Sequence, residues 1–214
     1  ICVGESIIDF ISLENGKTLE EIQAFTRQPG GSSANVSIGL SKLDVPVSFT
    51  GIIGNDCFGR FLEQYLISNN IDCSLLKKTD KFNTPIVFVA LDDAGDNEFF
   101  FYRDFGFNNE YKIKRADFLL LENINILHFS SVILKQTNFR LQLAKLIDTV
   151  KFRNHGLIHF DANIRFGLWK NQNELRNIVV QFIKLSDILK FSEEEIYFVT
   201  GVNTIEKALE SKLL

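Results

Sequence analysis

The stretch Pro29-Gly30-Gly31-Ser32-Ser33-Ala34-Asn35-Val36-Ser37-Ile38-Gly39-Leu40 constrains the chain more than any other. Two adjacent glycines allow positive φ and the close approach of a second molecule. A helix follows directly, with Ser32 or Ser33 placed to cap it. Val36, Ile38, Leu40 and Leu43 are spaced to cover its buried side. The first N–H groups of such a helix have no partner within it and point out of its N-terminus. Asn35, one turn in, brings a donor and two acceptor lone pairs. Taken alone, this is the pattern of a tight strand-to-helix loop.

The rest of the chain alternates. Ile1 to Val3 continue across Gly4-Glu5 into Ile7-Ile8-Asp9-Phe10-Ile11, a buried strand running out into a more exposed one. Asp9 sits among apolar neighbours, where a charge must find a partner, a ligand or solvent. Ala24-Phe25-Thr26 offers a second short strand. After the diglycine helix come a β-branched strand, residues 47–54, and a helix over 61–68, with Asp56 in the place of an N-cap. Ile86–Leu91 and Glu98–Arg103 read as a hairpin closed by Asp92-Asp93-Ala94-Gly95-Asp96-Asn97. Ile86, Phe88 and Ala90 alternate with Val87, Val89 and Leu91, so both faces are apolar and one of them is open to a second subunit. Strands at 124–129, 157–160 and 188–191 then alternate with helices at 139–150, 173–185 and 193–199. This is the order of an α/β fold with a doubly wound, mainly parallel sheet flanked by helices, interrupted by a small β-sheet. In such sheets ligands sit beyond the carboxyl ends of the strands. Asp161, Asn163 and Arg165 occupy that place after Phe160, whereas His128 and His159 lie within apolar strands as core or edge histidines.

Composition narrows the function. With 214 residues, 45% hydrophobic and 23% charged, the chain has room for one full core. A net charge of −4 with no basic run argues against nucleic acid. Cys2, Cys57 and Cys73 form no disulfide or metal-binding spacing and suit a reducing, cytoplasmic setting. No signal peptide and no apolar run of membrane-spanning length is present, so no membrane partner is expected. The chain opens inside an apolar strand, closes inside a helical stretch and holds no methionine. It reads as part of a longer protein whose methionines are missing from this sequence.

With these pieces placed, the chain resembles the ribokinase-like (pfkB-type) carbohydrate kinases over nearly its whole length. Gly4-Glu5-Ser6-Ile7-Ile8-Asp9 resembles their opening strand. Gly30-Gly31-Ser32-Ser33-Ala34-Asn35-Val36 and Ile53-Gly54-Asn55-Asp56-Cys57-Phe58-Gly59 resemble their first signature. Asp161-Ala162-Asn163-Ile164-Arg165, with Leu168-Trp169, resembles the D-P-N-x-R…L-W segment, Ala162 replacing the usual Pro. Ser192-Glu193-Glu194-Glu195 resembles N-x-x-E, with Ser for Asn. The Gly-Glu opening and Phe101-Tyr102-Arg103 are most similar to fructokinases and 2-keto-3-deoxygluconate kinases. The second signature, Gly-Ala-Gly-Asp, is absent.

The resemblance implies ATP-dependent phosphorylation of a sugar hydroxyl, with fructose first and 2-keto-3-deoxygluconate second, and ATP and Mg2+ as cofactors. It implies a small β lid from about 10–28 and 85–104, and the two apolar faces of the 85–104 hairpin lead us to expect a homodimer through paired lids. Asp9 would accept hydrogen bonds from sugar hydroxyls, and Gly30, Gly31 and Asn35 would hold the sugar edge. Phe101 and Arg103 would approach from the lid, Asn163 and Arg165 would lie near the substrate and the transferring phosphate, and Glu195 would order magnesium through water. The catalytic base and most of the nucleotide pocket belong to the missing signature. The 214-residue segment alone is therefore expected to be inactive, insoluble or molten. A sugar-binding relative without catalysis remains an alternative. A nucleotide-dependent dehydrogenase is disfavoured, since no G-x-G-x-x-G turn follows the first strand.

Overall fold

The structure, a computed structural model, describes residues 1–91, 97–102, 110–211 and 213. Its first strands and helices are β1 (Cys2–Val3), β2 (Ile7–Ser12), β3 (Phe25–Gly30), α1 (Ser32–Lys42), β4 (Phe49–Thr50), β5 (Ile52–Gly54), α2 (Cys57–Ser68) and β6 (Lys77–Thr79). Then come β7 (Ile86–Leu91), β8 (Asn97–Phe101), β9 (Ile126–Ser130), α3 (Thr137–Asn154), β10 (Leu157–Asp161), α4 (Gln172–Ile183), β11 (Ile188–Lys190), α5 (Glu193–Thr200) and α6 (Ile205–Leu209). They fall into two compact units, Ile1–Gly4 with Phe107–Leu214, and Glu5–Gly106.

In the first unit the strands run β11-β10-β9-β1, and every pair among them is parallel. Leu127, Phe129, Ile158 and Phe160 are wholly buried on one face of this sheet. Phe129 stacks on Phe160 at 4.7 Å and meets Phe182 of α4 edge-on at 5.6 Å. Such aromatic pairs add about 1 kcal/mol beyond the area they bury. The other face carries in-register polar rows: Cys2, His128 and His159, then Ser130, Asp161 and Lys190 at the carboxyl ends. Helix α3 ends on His155 in the left-handed conformation, followed by Gly156, whose N–H donates to the Val150 carbonyl.

The second unit holds a smaller sheet of order β3-β2-β7-β8, in which β2 pairs antiparallel with β3 and parallel with β7, and β7 antiparallel with β8. The expected α/β class, a mainly parallel sheet with helices and an additional small sheet, is therefore what the chain forms. The face of β2 and β7 that carries Ile8, Phe10, Ile86 and Phe88 is filled from within the unit. Ile8, Ile53 and Leu62 form its core, with Phe10, Phe58, Phe61, Leu76 and Ile86 packed against them. Phe88 stacks on Phe10 at 5.4 Å and meets Phe25 edge-on at 5.2 Å. On the hairpin itself, Ile86 packs against this cluster, so that end of the face is filled from within the unit.

Two readings shift. The buried side of α1 is Ser33, Ala34, Ser37 and Ile38, whereas Leu43 is 74% exposed. Three small residues and one large aliphatic, Ile38, are what this helix buries. The strand expected at 47–54 is interrupted, β4 and β5 being separated at Gly51.

Candidate functional site

In the second unit, Asp9 lies in the middle of β2, opposite Gln28 on β3 and Val87 on β7, and Val87 in turn faces Phe101 on β8. Directly opposed residues share a face of a sheet, so Asp9, Val87 and Phe101 look out on the same side. Gly30, opposite Ile7, belongs to that side as well. A Cβ on Gly30 would fall on the Asp9 carboxylate. The carboxylate therefore rests on bare backbone, and the absence of a side chain at Gly30 is what makes room for it.

Gly31 takes φ 108° and stands against the Glu5 carbonyl, a conformation and a closeness that suit glycine alone. It is the N-cap of α1, and its carbonyl accepts the Asn35 N–H at 2.9 Å. The expected serine cap is not made, because Ser32 and Ser33 both lie inside the helix. The acceptor comes instead from 27 residues earlier: Glu5 Oε1 receives the Ser32 N–H at 2.6 Å. A carboxylate there also complements the positive end of the helix dipole. Asn35 is exposed on α1. Arg103 lies outside the described residues.

In the first unit, β10 ends at Asp161, whose register partners are Ser130 on β9 and Lys190 on β11. Lys190 Nζ donates to both carboxylate oxygens of Asp161, at 3.1 and 3.0 Å. Asp161 is buried and Lys190 largely exposed, so the pair sits at a mouth. The chain then turns. Ala162 is fully buried and its N–H donates to the Lys190 carbonyl at 2.9 Å. A proline at this position has no N–H to give, so Ala162 adds a ladder bond to β11. Asn163 takes φ 37°, in the left-handed region that asparagine tolerates better than most residues.

Glu195 fixes that turn. Its Oε1 accepts the Ile164 N–H at 2.5 Å, and its Oε2 accepts the Ser192 N–H at 2.8 Å. Ser192 Oγ accepts the Glu195 N–H at 3.3 Å, completing a capping box at the start of α5. Asp161, Asn163, Arg165, Ser192 and Glu195 all line a cavity of about 320 Å³ together with Lys190. Of the expected site residues, the structure thus groups Asp9, Gly30 and Phe101 on one sheet face, and Asn163, Arg165 and Glu195 around one cavity. Sequence patterns alone assign no role to Glu5 or Lys190. Lys190 had a signal: it is the charge that ends an apolar strand, where ligand groups gather.

Among the described residues no three His, Cys, Asp or Glu side chains are arranged to hold a metal ion, and no helix is long and apolar enough to cross a membrane.

Parallel strands with carboxylate, amide and guanidinium side chains beyond their carboxyl ends, and a second sheet that seats a carboxylate on a glycine, define an α/β protein of the ribokinase-like class. The chain belongs to the pfkB family of carbohydrate kinases, whose profile matches residues 1–213. It is 37% identical over 198 residues to a putative sugar kinase of Pyrococcus horikoshii, PH1459, covering 92% of this chain and 62% of that one. It is 33% identical to probable fructokinase-7 of Arabidopsis thaliana, covering 94% of this chain and 58% of that one. The crystal structure of Vibrio cholerae fructokinase in its fructose-, ADP- and calcium-bound form matches with a TM-score of 0.82 at 29% identity, over 98% of this chain and 65% of that one. The chain spans less than two thirds of the length of these relatives.

Proposed function

We propose that the protein transfers the γ-phosphoryl group of ATP to a hydroxyl of fructose. The observation that carries this reading is Asp9 seated on Gly30, on the sheet face that also bears Phe101. A carboxylate accepts several hydrogen bonds at once, which suits a polyol, and an aromatic ring beside it suits the apolar face of a sugar. As the family resemblance implies, Gly31 and Asn35 would hold the edge of the sugar, Arg103 would contact it, and the small sheet would act as the lid. The fructokinases among the relatives, one of them solved with fructose and ADP, support the choice of sugar.

In this reading the sugar oxygen forms a bond to the γ-phosphorus, the bond to the bridging oxygen breaks, and ADP leaves. In the family resembled, the Gly-Ala-Gly-Asp signature supplies the base that would take the hydroxyl proton; these 214 residues do not contain it. Asn163 and Arg165 orient and stabilise the transferring group, since positioning and charge stabilisation are most of phosphoryl-transfer catalysis. Magnesium supplies charge neutralisation on the phosphates. Glu195 suits an outer, water-mediated contact with it, because each of its oxygens already accepts a backbone N–H. Closure of the lid keeps water from the phosphoryl group. Phe99, Phe100 and Tyr102, 43%, 52% and 58% exposed along β8 and just after it, support a homodimer joined at the lids.

An ADP-release assay on the full-length protein over a panel of sugars tests the reading. Turnover highest with fructose supports it; no ADP release with any sugar overturns it. A single-subunit mass in light scattering at micromolar concentration removes the dimer.

A further inference from the structure

Asp56 opens α2 as its N-cap, its Oδ1 accepting the Gly59 N–H at 2.8 Å. Capping needs only one oxygen, yet both are used. Oδ1 also accepts the Thr84 hydroxyl at 2.9 Å, and Oδ2 accepts the Thr84 N–H at 2.7 Å. Thr84 Oγ1 in turn accepts the Gly54 N–H at 3.1 Å. Three segments, the end of β5, the start of α2 and the entry to β7, are thus tied to one carboxylate. The glycines of the same motif leave room for it. A Cβ on Gly54 would lie 2.5 Å from both Asp56 Oδ2 and Thr84 N, and one on Gly59 would strike the Gly54 carbonyl. The N–H donors and the Thr84 hydroxyl outweigh burial, which alone would raise the Asp56 pKa, and hold the carboxyl below its usual range.

The tie continues into the candidate sugar surface. The residue after Thr84 is Pro85, whose carbonyl accepts the Ile8 N–H at 3.0 Å. From there β7 runs parallel to β2 with Ile8 opposite Ile86 and Asp9 opposite Val87. The anchored end of β7 therefore sets where Asp9 stands.

We propose that Asp56 is a positioning residue for sugar binding: through Thr84 and Pro85 it fixes the register of β7 on β2 and thereby holds the Asp9 carboxylate in place. This rests on the sugar-kinase reading above. It assigns a task to the Gly54-Asn55-Asp56-Cys57-Phe58-Gly59 motif, which the chemistry itself leaves unused.

Asp56→Asn isolates the tie from the cap. Asparagine caps a helix about as well as aspartate, while its amide NH2 faces the Thr84 N–H, donor against donor. In the full-length protein, hydrogen exchange at the Ile8 and Thr84 amides should quicken about tenfold, the rate a loss of about 1.4 kcal/mol gives. The KM for D-fructose should rise by a similar factor, with kcat and the KM for ATP within about twofold of wild type. Thr84→Val, which keeps the N–H and loses the hydroxyl, should fall between, and Thr84→Ser should restore wild-type values. Unchanged exchange in Asp56→Asn overturns the proposal. So does faster exchange with an unchanged fructose KM, which would make the tie structural only. Should Asp56→Asn fail to fold, the same two measurements on Thr84→Val decide the proposal in the same way. A wild-type protein that binds no fructose in calorimetry, while exchange still quickens in the variant, overturns the sugar-kinase reading and keeps the anchor of β7.

Discussion

His128 and His159 face each other across β9 and β10 with their Nδ1 atoms 2.9 Å apart. One ring must donate and the other accept, so the pair holds together only when at least one imidazole is neutral. Burial, reinforced by the neighbouring His159, pushes the His128 pKa down to about 3, and burial lowers that of His159 as well. In the unfolded chain His128 takes a proton near its ordinary value of about 6.5. Between those two values the unfolded state binds more protons than the folded one. Stability is thus fully present above about pH 6.5 and falls as pH drops toward 3, by up to roughly 1.4 kcal/mol per pH unit for one proton. Denaturant unfolding at pH 7, 6 and 5 should show this decline, and His128→Asn should flatten it. Equal slopes in the two proteins would remove the pair from the acid response.

Gly30→Ala places a methyl group where the Asp9 carboxylate rests. The side chain of Asp9 must swing away, since β3 is held to β2 over its whole length from Phe25 to Gly30. The expected cost is about tenfold to a hundredfold in kcat/KM for the sugar, carried mostly by KM, with the unfolding midpoint little changed. A variant with wild-type sugar kinetics would separate Asp9 from substrate recognition.

Local patterns made most of the framework legible. Helices α2 to α5 and strands β7 to β11 follow from apolar period and, at α2, from the cap Asp56, where the signal lies within a few residues. What escaped depends on distant partners. Glu5 caps α1 from 27 residues away, so the serines beside the helix looked like its caps. Strand β6 is Lys77-Lys78-Thr79, too polar and short to stand out, and exists because Lys77 and Lys78 pair with Ile52 and Ile53. Lys190 acquires its place only when β11 lies beside β10 and brings it to Asp161. Glu195 was legible as a motif residue, yet its bond to the Ile164 N–H joins segments 31 residues apart.

Ala162 offers a direct test of one departure from the family pattern. Ala162→Pro restores the family's usual residue and removes the N–H that now donates to the Lys190 carbonyl. That carbonyl sits at the end of a three-residue strand, so losing the bond should cost about 1 kcal/mol of stability. Asn163 and Arg165 follow directly and keep their own anchors, including the Ile164 bond to Glu195, so kcat/KM should stay within about threefold of wild type. Thermal unfolding and steady-state kinetics on the same preparation decide it. A variant more stable than wild type would mean that the rigid ring gains more than the lost ladder bond.

The choice of sugar turns on how its charge is read. A neutral ketose is recognised by hydrogen bonds to its hydroxyls, and Asp9, resting on Gly30, is the acceptor proposed for them. A sugar acid carries a carboxylate, which a guanidinium grips through two parallel bonds, and Arg103 and Arg165 are the candidates in this chain. Arg165 lines the cavity at the end of β10, where the phosphate is expected, which leaves Arg103 for the acid. With fructose as substrate, Asp9→Ala should cost about a hundredfold or more in kcat/KM, since a site built around hydroxyl bonds loses them outright. Arg103→Ala should then cost about tenfold, the loss of a single hydrogen bond to an uncharged hydroxyl. With 2-keto-3-deoxygluconate the order reverses, because the arginine substitution strands a carboxylate in a closed site. Measuring kcat/KM of both variants with both sugars, in the full-length enzyme, separates the two. Turnover of the sugar acid alone, with Arg103→Ala the more damaged variant, would replace fructose by the acid.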